Sequence, residues 1–314
     1  MNIQQALLKA LSFRGATTPN PPVGAAAYDT EGNLLAVTAH ERAGTPHAEA
    51  KLLAQAEAEG WLSKIDTLVV TLEPCCHTGR TGPCTDAVLR SGVKKIVFGV
   101  HDPNPKVAGK GAEILRAAGC EVTCLEDPDC AALIAPFRKW ILTGLPWVTV
   151  KTVHRVSSVH PAGSMLATLS DFQETMIPPH GQKTFSDAAA LKRAHELRKR
   201  ADAILTGSGT VLADHPEFTV RHIPDHAGKK RVLVVLDSRE RVQSEVVDWI
   251  HSREKAGFEV CLHTGDFQSA LALLGKKGCL EVLVEAGPQL SFEILRPHQA
   301  SPALYDEHVE IWSL

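Results

Sequence analysis

The first third of the chain carries side chains that could bind a metal ion. One stretch, T-P-H-A-E-A, contains His47 and Glu49, and another, L-E-P-C-C-H-T-G-R-T-G-P-C, contains Cys75 and Cys84. One imidazole and two thiolates are zinc donors, and three protein donors leave a fourth tetrahedral position for water, as in catalytic zinc sites. The sequence therefore predicts a catalytic Zn²⁺ held by His47, Cys75 and Cys84.

Glu49 lies two residues after the predicted histidine ligand and is not needed as a ligand. A carboxylate in that place can take a proton from a zinc-activated water and pass it to a leaving amine. We therefore predict that Glu49 is the catalytic residue of a hydrolytic deamination. An alternative stays open, because His77 could be a fourth ligand and would make the site a structural zinc knot.

Local sequence signals place these side chains at the ends of helices and strands. Pro46 fits the start of a helix that carries His47, and Pro83 fits the start of another helix with Cys84 in its first turn. The helix dipole there favours a thiolate. A buried strand at 68–71 leads into the loop that precedes the second helix.

The rest of the first 146 residues alternates between helix and strand patterns. We expect helices at 3–13 and 109–118, a hairpin at 23–28 and 34–37, strands at 96–100 and 121–125, and a connector with a short helix over 125–138. This alternation predicts a mostly parallel sheet with helices on both faces.

Composition limits the class of protein. A chain of 314 residues predicts two domains. A net charge of −3 argues against a nucleic-acid surface, and the polar N-terminus and the lack of long apolar runs argue against a signal peptide or membrane span. Eight cysteines in a chain of this length are more typical of reduced thiols than of disulfides. We therefore expect a cytoplasmic protein with no nucleic-acid and no membrane partner.

Four longer motifs contain the residues above and resemble one protein family. General zinc deaminases carry H-x-E…P-C-x-x-C, whereas the two cysteines here are nine residues apart. The motifs are T-P-N-P-P-V-G (18–24), H-x-x-A-G-x-P-H-A-E (40–49), T-L-E-P-C-x-H-x-G-R-T-x-P-C (71–84) and D-P-N-P-x-V-A-G-x-G (102–111). They are similar to the bifunctional deaminase/reductases of riboflavin biosynthesis. The resemblance covers essentially all of residues 1–146 and implies a zinc-dependent pyrimidine deaminase domain with a cytidine-deaminase-like αβα sandwich.

The same resemblance implies roles for single polar residues of the first domain. Asn20 and His40 would contact the base of the substrate. The ribose and phosphate would be held by His77, Arg80, Asp102 and Asn104. The guanidinium of Arg80 suits a phosphate because it can bind two oxygens at once.

Residues 147–314 resemble the reductase half of the family, an α/β domain like dihydrofolate reductase that uses NADPH. The matching sequence segments lie at 197–221, at V-L-V-V-L-D-S (232–238) and at L-V-E-A-G-P-Q-L (283–290). The resemblance implies cofactor contacts from Thr210, Asp214, Ser238 and Gly287, and substrate contacts from Arg198, Arg221 and Glu285. We expect 207–210 to be a tight turn whose backbone approaches a phosphate, and Arg200 to lie on a solvated helix face.

The resemblance implies two reactions on a small pyrimidine ribosyl phosphate. The first is zinc-dependent deamination of 2,5-diamino-6-(5-phosphoribosylamino)pyrimidin-4(3H)-one, and the second is NADPH-dependent reduction of the ribosyl chain to ribityl. It also favours a homo-oligomer. Two alternatives stay open: a deaminase that acts on another base, in a nucleoside or in tRNA, and a non-catalytic zinc-binding regulatory protein.

The second domain departs from the family pattern on its cofactor side. In the family, the strand with the residue that matches Lys151 is followed by Ser-x-Asp-Gly. Here the sequence after Lys151 is T-V-H-R-V-S-S, with Arg155 in the place of the serine. A long stretch at 156–183 stands where a short cofactor loop is expected, and the sequence ends soon after a strand-like segment at 304–312. We therefore expect a domain shortened at its C-terminus, with an impaired reductase.

These departures predict full deaminase activity together with weak or undetectable NADPH binding by the isolated chain. Titration of NADPH, followed by fluorescence or calorimetry, measures this directly. A dissociation constant in the low-micromolar range, with turnover of the deaminated intermediate, would contradict the prediction. In that case Arg155 is the candidate contact for the 2′-phosphate of the cofactor.

Overall fold

Contacts divide the chain into two units, Met1–Thr143 and Gly144–Leu314. The structure is a computed structural model that describes residues 2–77, 82–105, 107–177, 186–296 and 304–313. Each unit has its own sheet and its own apolar core. Within the described ranges, no helix has the length and apolar character needed to cross a membrane. The assignment of domains to 1–146 and 147–314 stays a prediction.

The first unit alternates helices and strands, as its sequence pattern predicts. In chain order its elements are α1 (Gln4–Leu11), β1 (Gly24–Tyr28), β2 (Leu34–Ala39), α2 (Ala48–Ala58), a 3₁₀ helix (Leu62–Lys64), β3 (Thr67–Leu72), α3 (Cys84–Ser91), β4 (Lys95–Val100), α4 (Lys110–Ala117), β5 (Glu121–Cys124) and α5 (Pro128–Thr143). The strands form a sheet in the order β2-β1-β3-β4-β5.

Side-chain alternation along β3 explains why both faces of this sheet are covered. Leu68 and Val70 belong to one core, together with Leu52 of α2. Val69 belongs to a second core, together with Ala6 of α1. Successive strand residues face opposite sides, so a strand covered on both faces is buried along its whole length, as β3 is. The predicted αβα sandwich is thereby confirmed.

Two expectations for the first unit need correction. The sheet is not mostly parallel, since β1 pairs antiparallel with both β2 and β3, and the parallel part is β3-β4-β5. A short hairpin connection permits antiparallel pairing only. The short helix expected over 125–138 is the longer α5, which continues to Thr143 with Pro136 inside it. Its buried side chains, Leu133 and Ile134, pack into the second core, and this packing outweighs local propensity.

The second unit is also built from alternating strands and helices. In chain order its elements are β6 (Trp147–Arg155), α6 (Leu169–Met176), α7 (Ala188–Arg200), β7 (Ala203–Gly207), α8 (Ser208–Asp214), β8 (Arg231–Leu236), α9 (Val242–Glu245), α10 (Val247–Lys255), β9 (Phe258–His263), α11 (Phe267–Lys276), β10 (Glu281–Glu285), α12 (Pro288–Leu295) and β11 (Glu307–Ser313).

The strands of the second unit form one parallel sheet in the order β11-β6-β10-β7-β8-β9. Its two faces carry separate cores. Val234 lies in one of them and Leu233 and Val235 in the other. Parallel strands present their carboxyl ends at one edge of a sheet, which is where α/β proteins place their ligands. Residues that follow β6, β7, β8 and β10 therefore meet at one edge.

Two local expectations for the second unit were wrong. Residues 207–210 are not a loop turn, because β7 ends at Gly207 and α8 begins at Ser208. Arg200 does not lie on a solvated face. Its side chain is 18% exposed, its Nε lies 3.4 Å from a Glu281 oxygen, and it also contacts Glu307. Sequence alone could not show that the strands β10 and β11 bring carboxylates to this helix.

The described part of the long stretch at 156–183 contains α6. This helix begins at a capping box, in which Thr168 Oγ1 accepts from the Asp171 backbone and the Asp171 carboxylate accepts from the Thr168 backbone. Phe172 of α6 lies edge-on to His154 of β6, with ring centres 5.7 Å apart. The segment is therefore anchored to the sheet, and residues 178–183 lie outside the described residues.

Close packing of α1 on β1 gives a prediction about stability. A Cβ at Gly24 would lie 2.0 Å from the Ala6 carbonyl oxygen, so Gly24→Ala must push the helix off the strand. We expect a loss of about 1–3 kcal/mol, the usual cost of overpacking, seen as a lower thermal midpoint. Gly82→Ala is the control, because a Cβ there meets no atom of the described residues within 4 Å. An unchanged midpoint in Gly24→Ala would contradict this account of the packing.

Candidate functional site

Three donor side chains of the first unit converge on one point. His47 is the N-cap of α2, Cys84 is the first residue of α3, and Cys75 lies in the loop after β3. The His47 Nδ1 lies 3.4 Å from each of the two sulphurs. One ligand atom from each residue lies within 4.8 Å of the other two, and within the described ranges this group does not include His77. Such a set of one imidazole and two thiols fits zinc.

Two helix N-termini point at this cluster and favour a negative charge there. The Cys84 backbone N–H donates to Cys75 Sγ over 3.4 Å. Hydrogen bonds from the Cys84 thiol and from His47 lower the pKa of Cys75 to about 4. The hydrogen bond to Cys75 and burial raise the pKa of Cys84. Ligation of a metal by both sulphurs would release the thiol protons that they still carry.

Glu49 lies on the first turn of α2, beside the cluster, and is 3% exposed. Its Oε2 is buried and has no hydrogen-bond partner among the described residues. Burial and the nearby Cys75 thiolate raise the pKa of Glu49 to about 7. A buried carboxylate oxygen without a partner is costly, so this oxygen is expected to meet a water or a substrate group in the working protein.

A cavity of about 120 Å³ opens beside Glu49 and the donor cluster. It is lined by Asn20, His40, His77 and Asp102, four of the residues that the sequence predicts to contact substrate. The Asn20 Nδ2 lies 3.2 Å from His40 Nε2, and His40 Nδ1 lies 3.3 Å from the Pro46 carbonyl oxygen. Because a carbonyl can only accept, Nδ1 carries the proton and Nε2 accepts from Asn20.

Asn104 is held next to the cavity by Asp102. The Asn104 backbone N–H donates to Asp102 Oδ1 over 2.8 Å, and burial raises the pKa of Asp102. Arg80, the predicted phosphate contact, lies outside the described residues. The roles of Asn104 and Arg80 stay predictions.

Sequence reasoning missed Glu73, which is 4% exposed and lies two residues before Cys75. Its Oε2 accepts from the Gly109 backbone over 2.9 Å and from the Asp102 backbone over 3.3 Å, and lies 2.9 Å from His101 Nδ1. Its Oε1 accepts from the Ala112 backbone over 3.1 Å. Burial alone would raise the pKa of Glu73, but these hydrogen bonds outweigh it and lower the pKa.

Glu73 therefore ties the loop that carries Asp102 to the loop that carries Cys75. The signal was present in the motif T-L-E-P-C, where a charged residue directly follows a strand that is predicted to be buried. Phe137 of α5 also lines the cavity. No sequence signal could have found Phe137, because it reaches the cavity only through the packing of α5.

In the second unit, one carboxylate contacts two positively charged side chains at the edge of the sheet where the strands have their carboxyl ends. Glu285 ends β10 and pairs in register with Lys151 of β6. The Lys151 Nζ lies 2.6 Å from Glu285 Oε2, and the Arg198 Nε lies 2.5 Å from Glu285 Oε1. Burial alone would raise the pKa of Glu285, but the charges of Arg198 and Lys151 outweigh it and hold the pKa below its usual range. The sequence did not assign Lys151 a role.

The other predicted substrate residue, Arg221, is exposed. It reaches the same region through Thr219, whose carbonyl accepts from Arg198 over 3.3 Å and whose Oγ1 accepts from Arg221 over 2.8 Å. Arg221 also forms an ion pair with Glu217. The two arginines predicted to hold substrate therefore contact the same residue.

Of the four predicted cofactor residues, the structure brings two into contact. The Gly287 backbone N–H donates to Thr210 Oγ1 over 2.9 Å, which joins the start of α12 to α8. Asp214 at the end of α8 and Ser238 after β8 are both exposed. Arg155 ends β6, and its Nε is buried without a hydrogen-bond partner among the described residues. All four cofactor assignments stay predictions.

Comparisons with known proteins cover both units. Residues 2–100 match the family described as the cytidine and deoxycytidylate deaminase zinc-binding region, and residues 173–298 match the RibD C-terminal domain. The riboflavin biosynthesis protein RibD of Aquifex aeolicus is 36% identical over 312 residues, which cover 93% of this chain and 81% of the relative. RibD of Escherichia coli is 33% identical over 321 residues, with 93% and 82% covered.

Solved structures show the same similarity. RibD of Acinetobacter baumannii, form 1, has a TM-score of 0.76 at 30% identity, with 98% of this chain and 84% of that chain covered. The crystal structure of a diaminohydroxyphosphoribosylaminopyrimidine deaminase/5-amino-6-(5-phosphoribosylamino)uracil reductase from Thermotoga maritima has a TM-score of 0.71 at 28% identity, with 92% and 81% covered. The resemblance inferred from the motifs and the two-part fold are thereby confirmed. The chain belongs to the RibD family, the deaminase/reductase enzymes of riboflavin biosynthesis, with a zinc-binding deaminase region and an NADPH-dependent reductase region.

Proposed function

We propose that the first unit deaminates 2,5-diamino-6-(5-phosphoribosylamino)pyrimidin-4(3H)-one and that the second unit reduces the ribosyl chain of the product with NADPH. The proposal rests on one observation above all. The unpartnered carboxylate oxygen of Glu49 is buried beside the His47, Cys75 and Cys84 donors, at a cavity lined by polar side chains. The Thermotoga maritima relative carries both activities in its name.

The donor set would hold zinc as a catalytic ion. Three protein ligands leave a position open, and zinc in such a site supplies a Lewis acid and an acidified water. The chain supplies the proton transfer. Glu49 has its pKa raised to about 7 by burial and by Cys75, which suits a group that must accept and then return a proton near neutral pH. We assign Glu49 both transfers, from the water and to the leaving amine.

Asn20 and His40 would orient the pyrimidine. Their mutual hydrogen bond of 3.2 Å commits the Asn20 amide nitrogen, which leaves its side-chain oxygen to accept from an amino group of the base. Asp102 would accept hydrogen bonds from the ribose, while His77, Asn104 and Arg80 would hold the phosphate.

In the second unit we propose that Lys151, Arg198 and Arg221 hold the ribosyl phosphate of the deaminated substrate. Glu285 contributes by orienting two of these cations, since its oxygens contact Lys151 and Arg198. Thr210 and Gly287, joined by a hydrogen bond, would contact NADPH together with Asp214 and Ser238. We further propose a homo-oligomer in the reducing cytoplasm, where the eight free cysteines would stay reduced.

Removal of one thiol tests the zinc assignment. Cys84→Ser should hold one zinc fewer per chain than the wild type, by elemental analysis, and should lose deamination, because two ligands bind zinc weakly. His77→Ala should keep the wild-type zinc content. The half-buried Cys261, in the second unit, supplies the control variant Cys261→Ser. Loss of zinc from His77→Ala, or full zinc in Cys84→Ser, would overturn the ligand assignment.

Ammonia release tests the function itself. The wild type should release ammonia from the diaminopyrimidine ribosyl phosphate and not from cytidine or adenosine. Glu49→Gln should keep its zinc and lose about 10²–10⁴-fold in rate, the usual worth of a positioned general acid–base group. Comparable turnover of cytidine, or near-normal turnover by Glu49→Gln, would count against the proposal. Oxidation of NADPH in the presence of the deaminated product tests the second half separately. Turnover would support the proposed reduction, whereas no oxidation would support the impaired reductase that the departures around Arg155 predict.

A further inference from the structure

A second group of metal-donor side chains lies outside the catalytic cluster. One nitrogen of His101, the sulphur of Cys124 and a carboxylate oxygen of Glu126 all lie within 4.8 Å of one another. His101 follows β4, and Cys124 ends the neighbouring parallel strand β5, so that both emerge at the same edge of the sheet. We propose that these three side chains form a second zinc site, separate from the catalytic one.

The imidazole of His101 is held as metal-ligating imidazoles usually are. Its Nδ1 lies 2.9 Å from Glu73 Oε2, and Glu73 is almost fully buried. A carboxylate that accepts from Nδ1 fixes the tautomer and leaves the lone pair on Nε2 for a metal. The ring also lies edge-on to Phe98, with centres 5.0 Å apart. Its orientation is therefore set before a metal arrives.

The other two donors lie on a backbone that is anchored on both sides. The Cys124 Sγ donates to Glu126 Oε1 over 3.2 Å, so the thiol and the carboxylate are already neighbours. The backbone N–H of Leu125 bonds to the Phe98 carbonyl over 2.9 Å, and that of Asp127 bonds to the Gly99 carbonyl over 3.0 Å. Because these bonds hold the segment against β4, binding a metal would cost little additional ordering.

The chemistry of the donors points to zinc rather than to calcium or magnesium. Calcium and magnesium prefer oxygen ligands throughout, whereas an imidazole, a thiolate and a carboxylate are all zinc ligands. His101 and Glu126 are exposed, so an ion can reach the site from solvent. With one thiolate instead of two, this site should bind more weakly than the catalytic cluster and lose its ion first to a chelator.

Metal stoichiometry of the full chain tests the proposal. Apo protein, prepared with a chelator under reducing conditions, is titrated with Co²⁺ and separately with Zn²⁺, and binding is followed by absorption and calorimetry. The wild type should take up two ions per chain, and Cys124→Ser should take up one. In Cys124→Ser the thiolate-to-cobalt absorption should lose the contribution of one of the three ligating thiolates, because Cys75 and Cys84 still bind cobalt.

Two further variants make the test specific. Glu126→Gln should weaken the second binding step and leave the first unchanged, because a neutral amide is a poor zinc ligand. Cys261→Ser, which removes a half-buried thiol elsewhere, should still bind two ions. Deaminase activity should persist in Cys124→Ser, which shows that the catalytic site is intact. One ion per wild-type chain, or two in Cys124→Ser, would overturn the proposal.

Discussion

The first unit depends on bringing three separate backbone segments to one point. The N-terminus of α2 supplies His47, the loop after β3 supplies Cys75, and the N-terminus of α3 supplies Cys84. Thiolates need positive surroundings, and two helix N-termini provide them through their dipoles and free N–H groups. The same convergence buries Glu49 in the first turn of α2, where loss of water raises its pKa. The proposed metal binding and the proposed proton transfer thus come from one local arrangement.

The buried carboxylate of Glu73 extends this arrangement to the substrate cavity. It accepts hydrogen bonds from the backbone at Asp102, Gly109 and Ala112. A buried charge is tolerated when its oxygens are fully bonded, and here the bonds come from the loop that follows β4 and from the first turn of α4. A Cβ at Gly111 would lie 2.0 Å from the Pro74 carbonyl oxygen, so only glycine lets α4 pack against the loop that carries Cys75. Glu73 also contacts His101, so the proposed second zinc site would be connected to the same loop through Glu73.

The second unit also brings side chains from separate segments to one point, but these side chains are charged groups instead of thiols. Its parallel sheet brings Lys151 and Glu285 level with each other on neighbouring strands, and α7 adds Arg198. Burial of a charge is costly, and a buried ion pair often contributes little net stability. Such a network does hold long, flexible cationic side chains in one orientation. That is the property that binding of a phosphate requires, because an ordered guanidinium loses less entropy on binding.

Much of the site could be predicted from sequence because its chemistry is local. Short spacings place His47 and Glu49 on one helical turn, and proline marks the starts of the helices that carry His47 and Cys84. Strand and helix positions in the first unit followed from apolar periodicity in the same way. The family motifs pointed to Asn20, His40, His77 and Asp102, and these residues line one cavity.

Tertiary structure decided whatever depends on a partner distant in sequence. The sequence predicts that Arg200 lies on a solvated helix face. The structure instead places it against Glu307 of β11, which is 107 positions away in the sequence. Glu73 acquires its role from backbone groups about 30 to 40 residues later. Phe137 reaches the cavity through the packing of α5. Local sequence determined which groups could do chemistry, since spacing along a helix or strand fixes their direction. Long-range packing determined which of them meet, because burial and charge pairing are settled only when distant segments come together.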